Sequence, residues 1–366
     1  MIALALALAL GAGPRVPVEL LGKLAPRTLA VRGDGVVRSL AARGDGLFVD
    51  GRPVPRLAFP PGTWRIDVPG ERARTYEGAL SIRAERGSLK IRGELELEPY
   101  VAAVVASETR PGTPAAALEA QAVAVRSYAL AARDRHPGGA LCDLAHCQLL
   151  RGGGIPAAHL AAAERAAQAT EGEVLVLRSG EVAAAAFHAS CGGHTADPRE
   201  AFGADGSGGA AGPDPGCSGP AWRAEVDPAR LADAVRLALA GDVAAVAAVG
   251  RRLRAADVVL SPGAGGWIGR VEGARGRWRL SGDAFARALD AALGRGVVRS
   301  SRFSLADVDG RVVVRGTGHG HGVGLCQAGA ARRAAAGEDH RAILGRYFRA
   351  QVIARRHSAD VPRARE

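Results

Sequence analysis

Aromatic side chains make up only 4% of the 366 residues, methionine occurs once, and lysine is found only at Lys23 and Lys90. The formal net charge of +11 is therefore carried by arginine, scattered along the chain without a block that interleaves cations with aromatic rings. A single-strand nucleic-acid platform needs that interleaving, so no nucleic-acid partner is expected. An anionic cell wall or membrane surface suits the charge as well. Long apolar runs are also scarce. Residues 2–12 form the longest and reach roughly half the ~20 residues that a membrane helix requires, so no stable membrane span is expected. Ending in small residues, the segment 1–14 reads as a short export signal without its usual positive start, or as a buried first strand. Five cysteines are too few for a disulfide scaffold, although their clustering suggests a bridge or a metal.

What the chain has in quantity is apolar residues, 48% of the total, enough for a substantial core. From Val16 to about Leu97, short apolar runs alternate with Gly, Pro and Arg-Gly turns, which predicts short strands. The segment 97–135 changes to helical spacing and predicts two helices. The first is stopped at Pro111, and the second starts with Thr113 as cap and Pro114 at the first helical position. A helix over 157–170 leads to a predicted hairpin, with one strand over 173–177, a turn at Ser179-Gly180 and a second strand through Phe187. Gly203 to Pro220 reads as a long loop. Residues 229–300 mix two Ala-rich helices with strands around Val258 and Trp278, and a strand, a Gly-rich loop and two short helices close the chain. The expectation is an α+β class, a β-rich mixed fold in which a few helices form a groove between two β-rich lobes over 15–353, with 354–366 a disordered basic tail.

Glu108 is the most informative acid. Leu97, Val101, Val104 and Glu108 share helical spacing, which puts the carboxyl on the apolar face in the last turn before Pro111. Burial and the helix dipole both push its pKa upward there, as a general acid requires; the alternative is an exposed residue at a frayed end. Arg126 and Tyr128 sit in an otherwise Ala/Val helix, where Arg126 could hold a carboxylate or a sugar, or lie on a solvated face. His136, Cys142, His146 and Cys147 match the ligand set of a closed zinc site, with a Cys142 to Cys147 bridge or free thiols as alternatives.

Phe187 to Thr195 gathers His188, Ser190, Cys191 and His194 around Gly192 and Gly193, as the wall of a site, with a Cys191 to Cys217 bridge favoured over a reactive thiol. Gly316 to Gly324 places His319 and His321 among glycines; it lacks the Lys-Ser/Thr of a phosphate loop and suits imidazoles projecting into a cleft, a metal site, or plain packing.

The segments E-L-E-P-Y-V-A-A-V-V-A-S-E, E-A-Q-A-V-A-V-R-S-Y-A, C-D-L-A-H-C-Q, F-H-A-S-C-G-G-H-T and G-H-G-H-G-V-G-L-C-Q-A-G-A, in that order and spacing, resemble the stage II sporulation protein D family from roughly Pro17 to Ile353. The resemblance implies an extracytoplasmic protein, secreted, periplasmic or wall-associated, that acts as a lytic transglycosylase on peptidoglycan glycan strands. By position Glu108 is then the acid/base. It further implies sugar contacts from Arg126, Tyr128, Ser190, Gly192, Gly193, His321 and Gln327, to which the reading of the two loops adds His188, His194 and His319. Some members bind zinc at the C-D-x-x-H-C segment, so a structural zinc is possible and no cofactor is required for catalysis. Cys326 stands where many members carry Ser, and Thr317-Gly318-His319 replaces a commoner Gly-Trp. The same domain also resembles the amidase enhancer type, which implies a competing role as a glycan-binding activator of a wall amidase. A zinc-dependent amide hydrolase built on His319 and His321 is the third reading.

Overall fold

Alternation is cleanest at Ser88–Glu96, where Leu89, Ile91, Gly93 and Leu95 turn inward and their neighbours outward, the period-two signature of a half-buried strand. In this computed structural model residues 14–132, 136, 138–202 and 208–355 are described. The apolar segment 1–14, apart from Pro14, and the basic tail, apart from Ala354 and Arg355, lie outside the described residues. Those two tail residues close the strand Val352–Arg355.

The protein is α+β, and it divides into two units. Unit one comprises residues 1–112, 129–174 and 354–366. Its sheet contains β1 (Arg15–Leu20), β2 (Thr28–Gly33), β3 (Val36–Arg43), β4 (Gly46–Val49), β5 (Arg52–Val54), β6 (Leu57–Asp67), β7 (Arg74–Glu85), β8 (Ser88–Glu96) and β9 (Leu141–Cys142), ordered β5-β4-β3-β2-β6-β7-β8-β1-β9. Neighbours pair antiparallel except β1 with β9, whose parallel register sets Val18 opposite Leu141 and Glu19 opposite Cys142. Trp64, Ile66, Leu80, Ile82, Leu89 and Ile91 fill the inner face.

β8 runs directly into α1 (Leu97–Glu108), which packs against β8, β1 and α3 (Ala157–Ala169). α1 buries Leu97, Tyr100, Val101, Ala102, Val104, Val105, Ala106 and Ser107, positions all round the helix rather than on one stripe. α2 (Ala115–Ala131) follows, so the helical segment expected over 97–135 consists of two helices separated by Pro111 and Gly112. Residues 133–135 and 137 lie outside the described residues.

Unit two, residues 113–128 and 175–353, has two three-stranded antiparallel sheets. In one, Arg311–Thr317 lies between Ala221–Val226 and Phe303–Val308. The helices Pro228–Ala238 and Gly282–Leu293 pack together, with Leu231, Val235, Phe285 and Leu289 in their shared core. Each has a side-chain cap: Asp227 accepts from the Ala229 N–H at 2.8 Å and Ser281 from Ala284 at 3.2 Å. The region 229–300 holds a third helix, Val243–Ala248, beyond the two expected. The hairpin expected over 173–187 does not form as drawn. Val176 and Val182 make an isolated bridge, whereas Phe187–His188 pairs in parallel with Leu325–Cys326. Ala183 to Ala186 supply no outward polar alternation to sustain a free hairpin strand.

Candidate functional site

In unit one the chemistry centres on Glu108, the last residue of α1, half-buried beneath its own helix end. Its Oε1 accepts the backbone N–H of Leu149 at 2.7 Å. Burial raises the carboxyl pKa above its ordinary value, and the Leu149 N–H and the Arg151 charge only partly oppose the shift. The segment that follows Cys147 is laid along α1 residue by residue: Tyr100 donates its hydroxyl to Gln148 Oε1 at 2.9 Å, and Arg151 donates its N–H to Ser107 Oγ at 3.1 Å. On the other side, His159 of α3 is buried with Nε2 at 3.2 Å from the Thr109 carbonyl, and so donates to the C-terminal end of α1.

The same segment begins with the thiol and imidazole cluster. The ligand atoms of His136, Cys142, His146 and Cys147 all lie within 4.8 Å of one another. His136 Nε2 is 3.1 Å and His146 Nδ1 3.8 Å from Cys147 Sγ, while Cys142 Sγ is 4.0 Å from His146 Nδ1. Two sulfurs and two ring nitrogens at this spacing are the donor set of a tetrahedral closed site, so these four residues can hold a zinc ion. A hydrogen bond from Cys147 is the first cause that lowers the Cys142 thiol to about 4, the deprotonated state a metal ligand needs. Asp143, buried beside them, accepts the Leu21 N–H at 2.8 Å and faces Arg74 at 3.5 Å, fixing the loop to the sheet. Both thiols are free, so the bridge alternative is not drawn.

In unit two, the two Gly-rich motifs lie side by side although more than a hundred residues separate them. Ser190 and His319 exchange backbone hydrogen bonds at 3.1 and 2.8 Å, and His188 donates Nδ1–H to the Val323 carbonyl at 3.0 Å. His188 is buried, and its Nε2 has no hydrogen-bond partner. Burial first, and the neighbouring His321 second, lower its pKa to about 3, which keeps the imidazole neutral with Nε2 as an acceptor. His321, 5.7 Å away between ring centroids, takes the Val323 N–H on Nδ1 at 3.1 Å, so its own proton sits on Nε2. His319 is exposed; His194 bonds the Thr195 carbonyl through Nδ1 at 2.8 Å. Gln327 reaches Gln121 at 3.4 Å. Gly192 has a φ of +66°, and its carbonyl is held by Arg302 at 2.6 Å.

Arg126 and Tyr128 are buried in α2, each with an interaction inside the protein. Sequence reasoning missed the Leu149 N–H, His159 and Arg302. Gln148 closes a motif that was singled out, and no local pattern marks the other contacts. A cavity of about 600 Å³ elsewhere in unit two, lined among others by Trp222, Arg223, Arg302 and Arg315, contains none of these acids or imidazoles.

Residues 85–177 match the family model for Stage II sporulation protein, SpoIID. Over that stretch the chain is similar to a SpoIID domain. The matched stretch contains Glu108, Arg126, Tyr128 and the whole thiol and imidazole cluster, and the motifs around His188 and His321 follow it. An uncharacterised protein of Brachyspira hyodysenteriae is 27% identical over 274 residues, covering 75% of this chain and 70% of that protein. The likeness to that family suggests a role connected with the cell wall. No helix among the described residues is long and apolar enough to cross a membrane.

Proposed function

We propose that the protein is an extracytoplasmic peptidoglycan lytic transglycosylase with Glu108 as its acid/base. The observation that carries this reading is a carboxyl kept at raised pKa by burial and oriented through one oxygen by the Leu149 N–H. Such a group is protonated at a pH where an ordinary glutamate is not. Glu108 donates its proton to the glycosidic oxygen that leaves as the 4-hydroxyl of N-acetylglucosamine. The carboxylate then takes the proton of the N-acetylmuramic acid 6-hydroxyl while that oxygen bonds to the anomeric carbon, giving a 1,6-anhydro end. No water is consumed, the acid returns to its starting state, and the second carboxylate of a hydrolase is not needed.

His188, Ser190, Gly192, Gly193, His194, His319, His321 and Gln327 are proposed as glycan contacts, with the neutral His188 Nε2 as an acceptor for a sugar hydroxyl or amide. Arg126 and Tyr128 position their helix. A zinc ion on His136, Cys142, His146 and Cys147 would be structural: all four positions are filled by protein, and its place in the chemistry is to hold the loop that presents Leu149.

The test is mass spectrometry of products from purified wall glycan, with and without peptide stems, treated with wild type and Glu108→Gln. Anhydro-muramic ends that vanish in the variant support the reading. Absence of cleavage by either protein, while both bind glycan, overturns it in favour of the amidase enhancer.

A further inference from the structure

Unit two contains a second convergence of ligand atoms, beside the imidazole loops. Cys191, Asp214, Cys217 and Cys326 are all buried, none more than 4% exposed, and their sulfur and carboxylate atoms lie within 4.8 Å of one another. They come from three places in the chain: the S-C-G-G turn, the Gly/Pro loop, and the cap of the helix Gln327–Ala335. Cys217 and Cys326 sulfurs are 3.4 Å apart, and Cys191 Sγ is 3.5 Å from Asp214 Oδ2. In a tetrahedral site with metal–sulfur and metal–oxygen bonds of about 2.3 and 2.0 Å, the corresponding edges are about 3.8 and 3.5 Å.

From this geometry we infer that Cys191, Cys217, Cys326 and Asp214 form a closed structural site for a thiophilic divalent cation such as zinc. Buried cysteines that serve only as small apolar groups have no need of a buried carboxylate among them. Polar groups surround three of the ligands. Cys326 Sγ accepts two backbone N–H groups, from Cys191 at 3.2 Å and Gly329 at 3.3 Å, the second at a helix N-terminus. Cys217 Sγ has the Ser190 hydroxyl at 3.6 Å. Asp214 is oriented by Arg333 at 3.0 Å, Arg332 at 3.4 Å and the Tyr347 hydroxyl at 2.9 Å.

Binding replaces three thiol protons with one dication, so three protons leave for each metal that enters. Three thiolates and a carboxylate against a dication leave a surplus of negative charge, and the two arginines on Asp214 offset it. No position remains for a substrate or water. The site instead ties the S-C-G-G turn to the start of the helix that follows the His-Gly loop, holding two of the proposed sugar-contact segments in register.

The test uses the full chain purified without chelator or reductant, with metal measured by mass spectrometry and pairing by peptide mapping. Cys142→Ser/Cys147→Ser, which disables the cluster in unit one, is expected to retain a full equivalent of zinc. Cobalt exchanged into that variant is expected to show thiolate-to-cobalt charge-transfer absorption. In the otherwise unchanged chain, Cys217→Ser/Cys326→Ser is expected to lower bound metal by one equivalent. A covalent bridge between any two of Cys191, Cys217 and Cys326, or unchanged metal content in that last variant, overturns the inference. Should the double variants not fold, the bridge search and the cobalt spectrum of the native chain after selective chelation of the exposed cluster still decide it.

Discussion

Replacing Glu108 separates its cost to the fold from its value to the chemistry. In the folded protein burial raises its pKa above the unfolded value. The stability it allows is therefore complete below the unfolded carboxyl pKa and is lost as pH rises through the folded one. Glu108→Gln cannot ionise and keeps an oxygen that can accept the Leu149 N–H, so it avoids that loss. Its melting temperature is expected to match wild type in acid and to exceed it increasingly toward neutral and alkaline pH. Glu108→Ala removes the acceptor altogether and leaves the Leu149 N–H, now bonded at 2.7 Å, to find water. That costs about 1–3 kcal/mol, and each kcal/mol lowers the melting temperature of a unit this size by about 2–4 °C. Both variants are expected to lose cleavage by at least ~100-fold, the usual contribution of a positioned acid/base. Thermal melts at pH 4 and pH 8, paired with product analysis, make the check. A Gln variant less stable than wild type at pH 8, or a stability difference indifferent to pH, would refute the account of a carboxyl strained by burial.

Chelation, or Cys147→Ser, is expected to loosen the loop that presents Leu149 and to reduce cleavage by about tenfold. With the N–H withdrawn, the Glu108 pKa rises further, so the alkaline limb of the pH–rate profile moves to higher pH. His188 takes up its proton at about 3 when folded and near 6.5 when unfolded, so the protein loses stability as pH falls between those values. His188→Gln is expected to remove up to about 3 kcal/mol of that acid sensitivity, read from denaturant unfolding at pH 4 and pH 7. Gly324 has a φ of +71°, and a Cβ there would collide with the Ala186 carbonyl oxygen, so Gly324→Ala is expected to cost at least ~2 kcal/mol by the same assay.

Local signals were legible, and long-range ones were not. The end of α1, the start of α2 and the Gly-rich loops are punctuated by Pro111, Pro114 and the glycines themselves, and each is decided within a few residues. Glu108 was found by spacing, yet the reason differs from the spacing argument. α1 is buried all round, so the carboxyl is desolvated by its position at a covered helix end rather than by membership of an apolar stripe. The 173–187 hairpin was misread because an alanine run has no polar face with which to declare its partner, and the strand that Phe187 pairs with lies 138 residues later at Leu325. The expected bridge between Cys191 and Cys217 does not form, since both thiols are free, although the two do lie in one cluster. Cys326 joins it only through the same long-range pairing, which no spacing rule encodes.

The two units use backbone donors in the same way. Glu108 is oriented by the N–H of Leu149, and Cys326 by the N–H groups of Cys191 and Gly329. A backbone donor does not depend on the side chain that carries it, so neither position betrays its role by residue type. What it depends on is the register of its segment, and each segment has a ligand cluster beside it: Cys147 stands two residues before Leu149, and Cys191 itself belongs to the buried set. The placement gives the thiols a function without any part in bond cleavage. An ion that clamps a loop within two residues of the donor transmits its geometry across a very short chain, where little conformational freedom remains to blur it. On the proposed reading the cysteines fix register, and the reacting proton is left to a single carboxyl.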